Sequence, residues 1–317
     1  MPDILTITGP IFLLIGLGYG AVRLGLFART ALPALGSFVI SFSLPALLFK
    51  SLSQRSLAEV ANGRYLLAYA AGSLVALGVG IWWARSQGQP RDHAAMTGMG
   101  MSCSNSAFVG YPVALQVLGP DALVGLALVM LVENFLMIPL CLALADSAAH
   151  REQPLAAAIG RAIWGLRKNP IVLGIVAGLG ASVIQLKLPQ PAARAIDLLA
   201  NASAPVSLFF IGGTLVGQQV GQMVGQVSAV ALGKLVIHPV AVFGALMLAG
   251  PIAPHLQWSA VLMACSPMLG IYSIFGQKYG RQAVNAACML VATVASFATI
   301  GLAIWALQTS GVFGPPH

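Results

Sequence analysis

Long apolar runs separated by short polar segments dominate the chain. Each run is about as long as the roughly 20 apolar residues that a helix needs to cross a bilayer. Five runs precede a polar segment in the middle of the chain, and five follow it. The predicted spans are 4–24, 32–52, 65–83, 94–118 and 122–145, then 170–186, 195–216, 227–249, 256–279 and 283–307. The pattern therefore predicts an all-α membrane protein with ten transmembrane helices.

Composition and charge exclude other classes of protein. Of the 317 residues, 58% are hydrophobic and 8% are charged, whereas an ordinary soluble domain has about 25% charged residues. The mean hydropathy is +0.88. The net charge of +8 does not indicate nucleic acid, because the lysines and arginines form no cluster with interleaved aromatic residues. We therefore expect a lipid bilayer, and no nucleic acid, as a partner.

The two halves of the chain repeat each other at an offset of 160 positions. Residues 10–21 align with 170–181 with seven of twelve positions identical, and 43–49 and 203–209 share the pattern S-x-P-x-x-L-F. Five spans per half is an odd number, so the second copy enters the membrane from the opposite side. The sequence thus predicts two inverted five-helix repeats, an architecture of many secondary transporters. The predicted units are the first repeat (1–146), a cytoplasmic connecting loop (147–169) and the second repeat (170–317).

The distribution of basic residues predicts the orientation of the chain. Ten lysines and arginines fall on the side of the connecting loop and five on the other, leaving out Lys234, which lies inside a span. Basic residues favour the cytoplasmic side. We therefore expect a cytoplasmic loop and both termini outside.

Polar residues, glycines and prolines interrupt the fourth and ninth spans. Such breaks free backbone amides and carbonyls, which persist at membrane depth only inside protein or beside a wet cavity. Paired breaks in inverted halves indicate a substrate site, and the exposed amides of half-helices suit a carboxylate. The alternative is a pair of kinked packing helices with no ligand. The predicted substrate-binding residues are Ser104, Asn105, Ser106, Gly110 and Pro112 in the first break, and Ser266, Pro267 and Gly270 in the second.

Two charged residues lie well inside apolar runs. Glu133, with Asn134 beside it, is at the centre of the fifth span, and Lys234 is in the eighth. A charge at this depth is costly, so each residue is neutralised, paired or functional. One hypothesis is that Glu133 and Lys234 form a pair, or that Glu133 takes up a proton during turnover. An equally good interpretation is structural, either a fixed pair or a neutral Glu133 hydrogen-bonded to a neighbouring helix.

Motifs for catalysis and for cofactors are missing from the sequence. No zinc-binding spacing or phosphate-binding loop occurs, so we expect no metal and no cofactor. An intramembrane protease would need a pair of aspartates or a nucleophile with its base, and Glu133 is the one clear carboxylate in mid-span. We therefore expect that the protein is not an enzyme. The four cysteines lie in apolar runs and are predicted to be reduced packing residues.

Several motifs carry a resemblance to a known family. The most specific motif is N-x-x-x-x-G-x-P at residues 105–112. Three other segments also resemble the family: Leu44-Pro45-Ala46-Leu47-Leu48-Phe49, Lys234 with His238-Pro239, and Lys278-Tyr279-Gly280. The chain resembles the auxin efflux carrier family, which includes plant auxin exporters and bacterial carriers described as malonate transporters. That family is related in fold to the bile-acid sodium symporters.

The resemblance implies a mechanism as well as a fold. Spans one, two, six and seven would form a scaffold and a homodimer interface, and spans three to five and eight to ten a mobile transport unit with crossing, broken helices four and nine. Asn105 and Pro267 would line the substrate site. The second break lacks the Pro-Asn pair of the plant exporters, which argues against auxin.

These features together predict a secondary transporter for a small organic anion, a mono- or dicarboxylate like malonate. It would work by an elevator-type motion in a bacterial inner membrane, with H⁺ or Na⁺ as the coupling ion. The alternatives are a sodium-coupled symporter of the bile-acid type, a channel and a non-transporting receptor.

Overall fold

The computed structural model describes residues 4–54, 62–149, 160, 164–165, 167–217, 224–270 and 272–315. Nearly all of these residues are helical, and the described chain forms one isolated β-bridge in place of a sheet. Most of the predicted connecting loop lies outside the described residues. The helices are α1 (Ile4–Arg23), α2 (Arg29–Ser53), α3 (Gly63–Ser86), α4 (Arg91–Ser102), α5 (106–118), α6 (122–149), α7 (Pro170–Val183), α8 (Gln190–Thr214), α9 (Val224–Leu248), α10 (Pro254–Ala264), α11 (Tyr272–Gln277) and α12 (Gln282–Ser310).

Six stretches of the described chain are long and apolar enough to cross a membrane as helices. One of them has 43 residues, about twice the length that a single span needs. Gly119 divides this stretch, because its φ of +59° ends α5 just before Pro120. Two further apolar helices, Gly9–Arg23 and Pro170–Val183, are shorter. The chain is therefore an all-α integral membrane protein.

Predicted spans and observed helices agree to within five residues at eight of the ten positions. The other two are 94–118 and 256–279, the spans for which the sequence predicts a break. The first is divided into α4 and α5, and the second into α10 and α11. Both breaks are thus present in the structure.

Four helices of the described chain, α1, α2, α7 and α8, form one group, in which α1 packs on α8 and α2 packs on α7. A Cβ atom added to Gly18 in α1 would lie 2.9 Å from the Cα atom of Phe209 in α8. A Cβ atom added to Gly178 in α7 would lie 3.0 Å from the Cα atom of Phe49 in α2. Glycine at both places allows the two backbones to approach. The two contacts are reciprocal, since Gly178 and Phe209 lie 160 positions after Gly18 and Phe49.

The remaining helices form a second group around the two breaks. In this group α3 packs on α4 and α9, α6 packs on α4 and α10, and α9 packs on α12. We refer to the two sets as the four-helix group (α1, α2, α7, α8) and the eight-helix group (α3–α6, α9–α12).

A wide π-helical turn precedes four of the prolines inside helices. Proline lacks the N–H of a regular helix and crowds the previous turn, so the helix widens locally. The residue before each proline donates instead to the carbonyl five residues back. These bonds are Leu44 to Val39, Tyr111 to Ser106, Ile138 to Glu133 and His238 to Gly233. Glu133 and Lys234 therefore both lie on irregular turns, where backbone and side chains depart from regular packing.

Candidate functional site

The two breaks meet and pair with each other. The backbone N–H of Asn105 donates to the carbonyl oxygen of Pro267 at 2.8 Å, and the N–H of Leu269 donates to the carbonyl oxygen of Cys103 at 3.2 Å. Ser104 and Met268 form an antiparallel bridge between these bonds. Each extended segment thereby satisfies backbone groups that the other leaves free, and the ends of α4, α5, α10 and α11 converge on one place.

At the N-terminus of α5, the amides of Ser106, Ala107 and Phe108 make no hydrogen bond to a described residue at this crossing. The carbonyl oxygen of Asn105 accepts from the amides of Val109 and Gly110, both at 3.0 Å. The first amides of the helix, from Ser106 onward, have no carbonyl in a preceding turn. They form the positive end of the helix dipole, which favours an anion.

The carboxyl group of Glu133 approaches the same helix end from α6. Its Oε1 atom accepts from the amide of Ser104 at 3.0 Å and from the hydroxyl of Ser106 at 2.9 Å, and the hydroxyl of Tyr69 is 3.5 Å away. The Oε2 atom is buried and has no hydrogen-bond partner among the described residues. The side chain of Glu133 is fully buried, so only one of its two oxygens is satisfied.

Lys234 lies next to the second break, and its ammonium group contacts Ala264 and His238. Its Nζ atom donates to the carbonyl oxygen of Ala264 at 2.7 Å and lies 2.9 Å from Nδ1 of His238, whose Nε2 lies 2.9 Å from Oγ of Ser73. An ammonium group can only donate, so Nδ1 accepts and Nε2 carries the hydrogen that reaches Ser73. The cation also lies at the C-terminus of α10, where the helix dipole stabilises it.

Glu133 and Lys234 do not form an ion pair among the described residues. Of the alternatives that the sequence leaves open, a direct pair is therefore not the arrangement in this structure.

A cavity of about 280 Å³ opens beside the crossing, between the four-helix group and the eight-helix group. Its lining includes polar residues from both groups, and Glu133 is the only acidic or basic residue among the described residues that line it. The polar lining residues are Ser37, Ser104, Asn105, Ser106, Glu133, Asn134 and Asn169. The apolar lining residues also come from both groups and include Ile40, Leu44, Phe108, Ile138, Ile171 and Phe210.

Five of the residues singled out from the sequence line this cavity: Ser104, Asn105, Ser106, Glu133 and Gly270. The side-chain amide of Asn105 makes no hydrogen bond to the described part of the chain, although the residue is only 3% exposed. A Cβ atom added to Gly270 would lie 3.6 Å from its Nδ2 atom. The side-chain amide of Asn105 is thus a polar group at the cavity without a partner in the described part of the chain.

The other predicted residues lie behind the cavity wall. Gly110, Pro112, Ser266 and Pro267 are buried at the crossing. A Cβ atom added to Gly110 would lie 2.6 Å from Oγ of Ser266, so this glycine allows the two broken helices to pack. These residues shape the crossing and do not face the cavity.

Sequence reasoning missed two polar groups of the site, Tyr69 and Asn169. The hydroxyl of Tyr69 in α3 lies 3.5 Å from Oε1 of Glu133, and Asn169 donates through Nδ2 to Oδ1 of Asn134 at 3.1 Å. Asn169 also caps α7, because its Oδ1 accepts the amide of Ile171 at 3.0 Å. An asparagine directly before a proline is a signal for a helix start. No sequence signal indicates the contact with Asn134.

Comparison with known proteins identifies the family. A family model described as "Membrane transport protein" matches residues 4–306. The chain belongs to this family. It is the auxin efflux carrier family, as the motifs around the first break predict.

Relatives in other organisms agree with this membership. A Rhizobium meliloti (strain 1021) protein named "Putative malonate transporter" is 31% identical over 95% of this chain and 94% of its own length. The "Uncharacterized transporter YfdV" of Escherichia coli (strain K12) is 25% identical over 81% of this chain and 83% of its own length. The "Lysosomal cholesterol signaling protein" of Mus musculus is 25% identical over 63% of this chain, which corresponds to 24% of the mouse protein. The family and the names of the two bacterial relatives indicate a membrane transporter.

Proposed function

We propose that this protein is a secondary transporter that carries a small organic anion, a mono- or dicarboxylate such as malonate. The observation that carries the proposal is the cavity of about 280 Å³ at the crossing of the two broken helices. Its size suits a small organic molecule. The cavity lies between two packed groups of helices, so a relative movement of those groups would move or expose a ligand bound there.

The chemistry of the cavity favours a carboxylate. The free amides at the start of α5 and the unused amide of Asn105 are donors that a carboxylate accepts from, and the helix dipole adds a positive field. The apolar lining residues suit the carbon skeleton of the ligand. The Rhizobium meliloti relative is named for malonate, which has this chemistry.

We further propose an elevator-type movement. The four-helix group would be the scaffold, and the eight-helix group, which holds both breaks and Glu133, would carry the ligand. The cavity is lined on one side by Ile40, Ile171 and Phe210 of the four-helix group, and on the other by the broken helices and α6. Movement of one group along the other would therefore expose the ligand to opposite sides in turn.

The ten-span, inverted-repeat topology is part of this proposal. Its support is the pair of reciprocal contacts, Gly18 with Phe209 and Gly178 with Phe49, at the offset of the sequence repeat. The same offset relates Leu13 to Leu173, which are 75% and 52% exposed in α1 and α7. These apolar faces would contact lipid or the second subunit of a homodimer.

The proposed location is a bacterial inner membrane, with both termini outside and the connecting loop in the cytoplasm. Its support is the excess of lysine and arginine on the side of the loop and the similarity to bacterial relatives along most of the chain.

Counterflow into liposomes containing the purified protein tests the proposed function. Vesicles loaded with unlabelled malonate, succinate, butyrate or benzoate should accumulate the labelled form of at least one anion, with saturation. Uptake that depends on sodium would support the symporter of the bile-acid type. Flux without saturation would indicate a channel, and saturable binding without flux a receptor.

A further inference from the structure

The position of Glu133 bears on how an anion can occupy the cavity, and the inference that follows rests on the proposed function. Glu133 lines the cavity and is the only charged residue among the described lining residues. An ionised Glu133 would place a second negative charge beside the ligand. Two unit charges about 6 Å apart, at an effective dielectric constant of about 20, oppose each other enough to weaken binding about 100-fold.

The carboxyl group of Glu133 and an organic anion also compete for the same donors. Oε1 of Glu133 accepts from the amide of Ser104 and the hydroxyl of Ser106, at the start of α5. An ionised carboxylate there already compensates the positive end of the helix dipole. A neutral carboxyl group leaves that field to the ligand.

The surroundings of Oε2 favour the neutral form in this structure. That atom is buried without a donor among the described residues. A buried carboxylate oxygen that lacks a donor is far more costly when the group is charged than when it is protonated. Because Oε1 already accepts from Ser104 and Ser106, the proton belongs on Oε2.

Other titratable groups surround Glu133, but none of them accounts for a proton that binds together with the anion. The Nζ atom of Lys234 is committed to Ala264 and His238, and tyrosine hydroxyls remain neutral well above neutral pH. The groups that interact with the charge of Glu133 from neighbouring elements are Tyr65 and Tyr69 of α3, Cys103 after α4 and Lys234 of α9.

We propose that each organic anion is bound and carried together with one proton on Oε2 of Glu133. The proton would bind to the carboxylate from one side of the membrane before or with the anion, and would dissociate on the other side after the anion has left. No other bond is made or broken. A monocarboxylate and its proton would thus cross without net charge.

The experiment measures the affinity of the detergent-purified protein for benzoate and butyrate, from about pH 6 to about pH 9, where both probes are fully ionised. In the wild type, the affinity for the anion should fall tenfold per pH unit once the pH is high enough to ionise Glu133 in the unliganded protein. The total fall should be about 100-fold. Binding in that range should take up close to one proton per anion, as measured in weakly buffered solution. E133Q should bind the anion at every pH with the affinity that the wild type shows at the lowest pH, and its binding should take up no proton.

Two further variants make the test specific. E133D keeps a titratable group and should keep a pH dependence, so that a general loss of structure is distinguished from loss of the proton. Asp197, an exposed carboxylate paired with Lys50 at 2.7 Å, lies outside the cavity lining, and D197N should behave like the wild type.

Several outcomes overturn the inference. Wild-type affinity that is constant with pH, or binding without proton uptake at any pH, would overturn it and leave the proposed anion transporter intact. The same holds for an E133Q profile that matches the wild type. If counterflow showed no saturable uptake of any of the four anions, the proposed function would fail, and this inference with it.

Discussion

The backbone amide of Asn105 donates to the carbonyl oxygen of Pro267 at 2.8 Å, which joins two segments that lie far apart in the sequence. Each of these residues lies where a helix is interrupted in an otherwise apolar run. The bond satisfies backbone groups that would be costly to bury alone. It also brings the start of α5, with its free amides, to the cavity beside Glu133.

Packing of the two broken helices should depend on the absence of a side chain at Gly110. In Gly110→Val the new side chain would meet Ser266 and Met263, whose atoms lie 2.6 Å and 2.8 Å from the position of a Cβ atom. We expect a loss of about 1–3 kcal/mol of stability and weaker anion binding, measured by thermal denaturation in detergent and by titration. Gly180→Val, where no atom lies within 4 Å, should leave both unchanged. Equal stability of the two variants would contradict this account of Gly110.

Lys234 should stabilise the second break by binding the last carbonyl of α10. Lys234→Met leaves the carbonyl oxygen of Ala264 and Nδ1 of His238 without a donor, at about 1–3 kcal/mol for each stranded group. Chemical denaturation in detergent should show this loss. Lys278→Met is the matched control, because Lys278 is 56% exposed and pairs with Asp146, an interaction of less than about 1 kcal/mol. A Lys234→Met protein as stable as the control would show that Lys234 does not hold the helix end.

The bond from Asn169 to Asn134 should restrain movement between the two helix groups. Asn169→Ser keeps an oxygen that can cap α7 but loses the amide that donates to Asn134 at 3.1 Å. A bond of this kind contributes about 1 kcal/mol, so counterflow should become up to about fivefold faster if the bond breaks before the rate-limiting movement. Thermal stability should change little. A slower rate with unchanged stability would mean that the bond assists the movement instead.

The helices could be predicted from the sequence because the length of an apolar run is a local property. Both breaks were also predictable, since serine, asparagine, glycine and proline in mid-span have few structural alternatives at membrane depth. Glu133 stood out for the same reason. In each case, the residues themselves conflict with a regular apolar helix.

The contacts of the site could not be predicted in this way. Tyr69 and Glu133, or Asn169 and Asn134, are brought together only by the packing of separate helices, and their sequence spacing carries no information on it. Lys234 illustrates the difference. Its depth marked it as important, but its partners, Ala264 and His238, became known only from the structure.

The central claim is that an organic anion binds at the crossing, where Asn105 faces the cavity. The most direct measurement is saturable counterflow of the best of the four anions into liposomes, for the wild type, Asn105→Ala and the exposed control Asn201→Ala. Hydrogen bonds to a charged group contribute about 1.5–3 kcal/mol. Asn105→Ala should therefore need about 10- to 100-fold more anion for half-maximal uptake, whereas Asn201→Ala should match the wild type. Wild-type uptake by Asn105→Ala would contradict the claim.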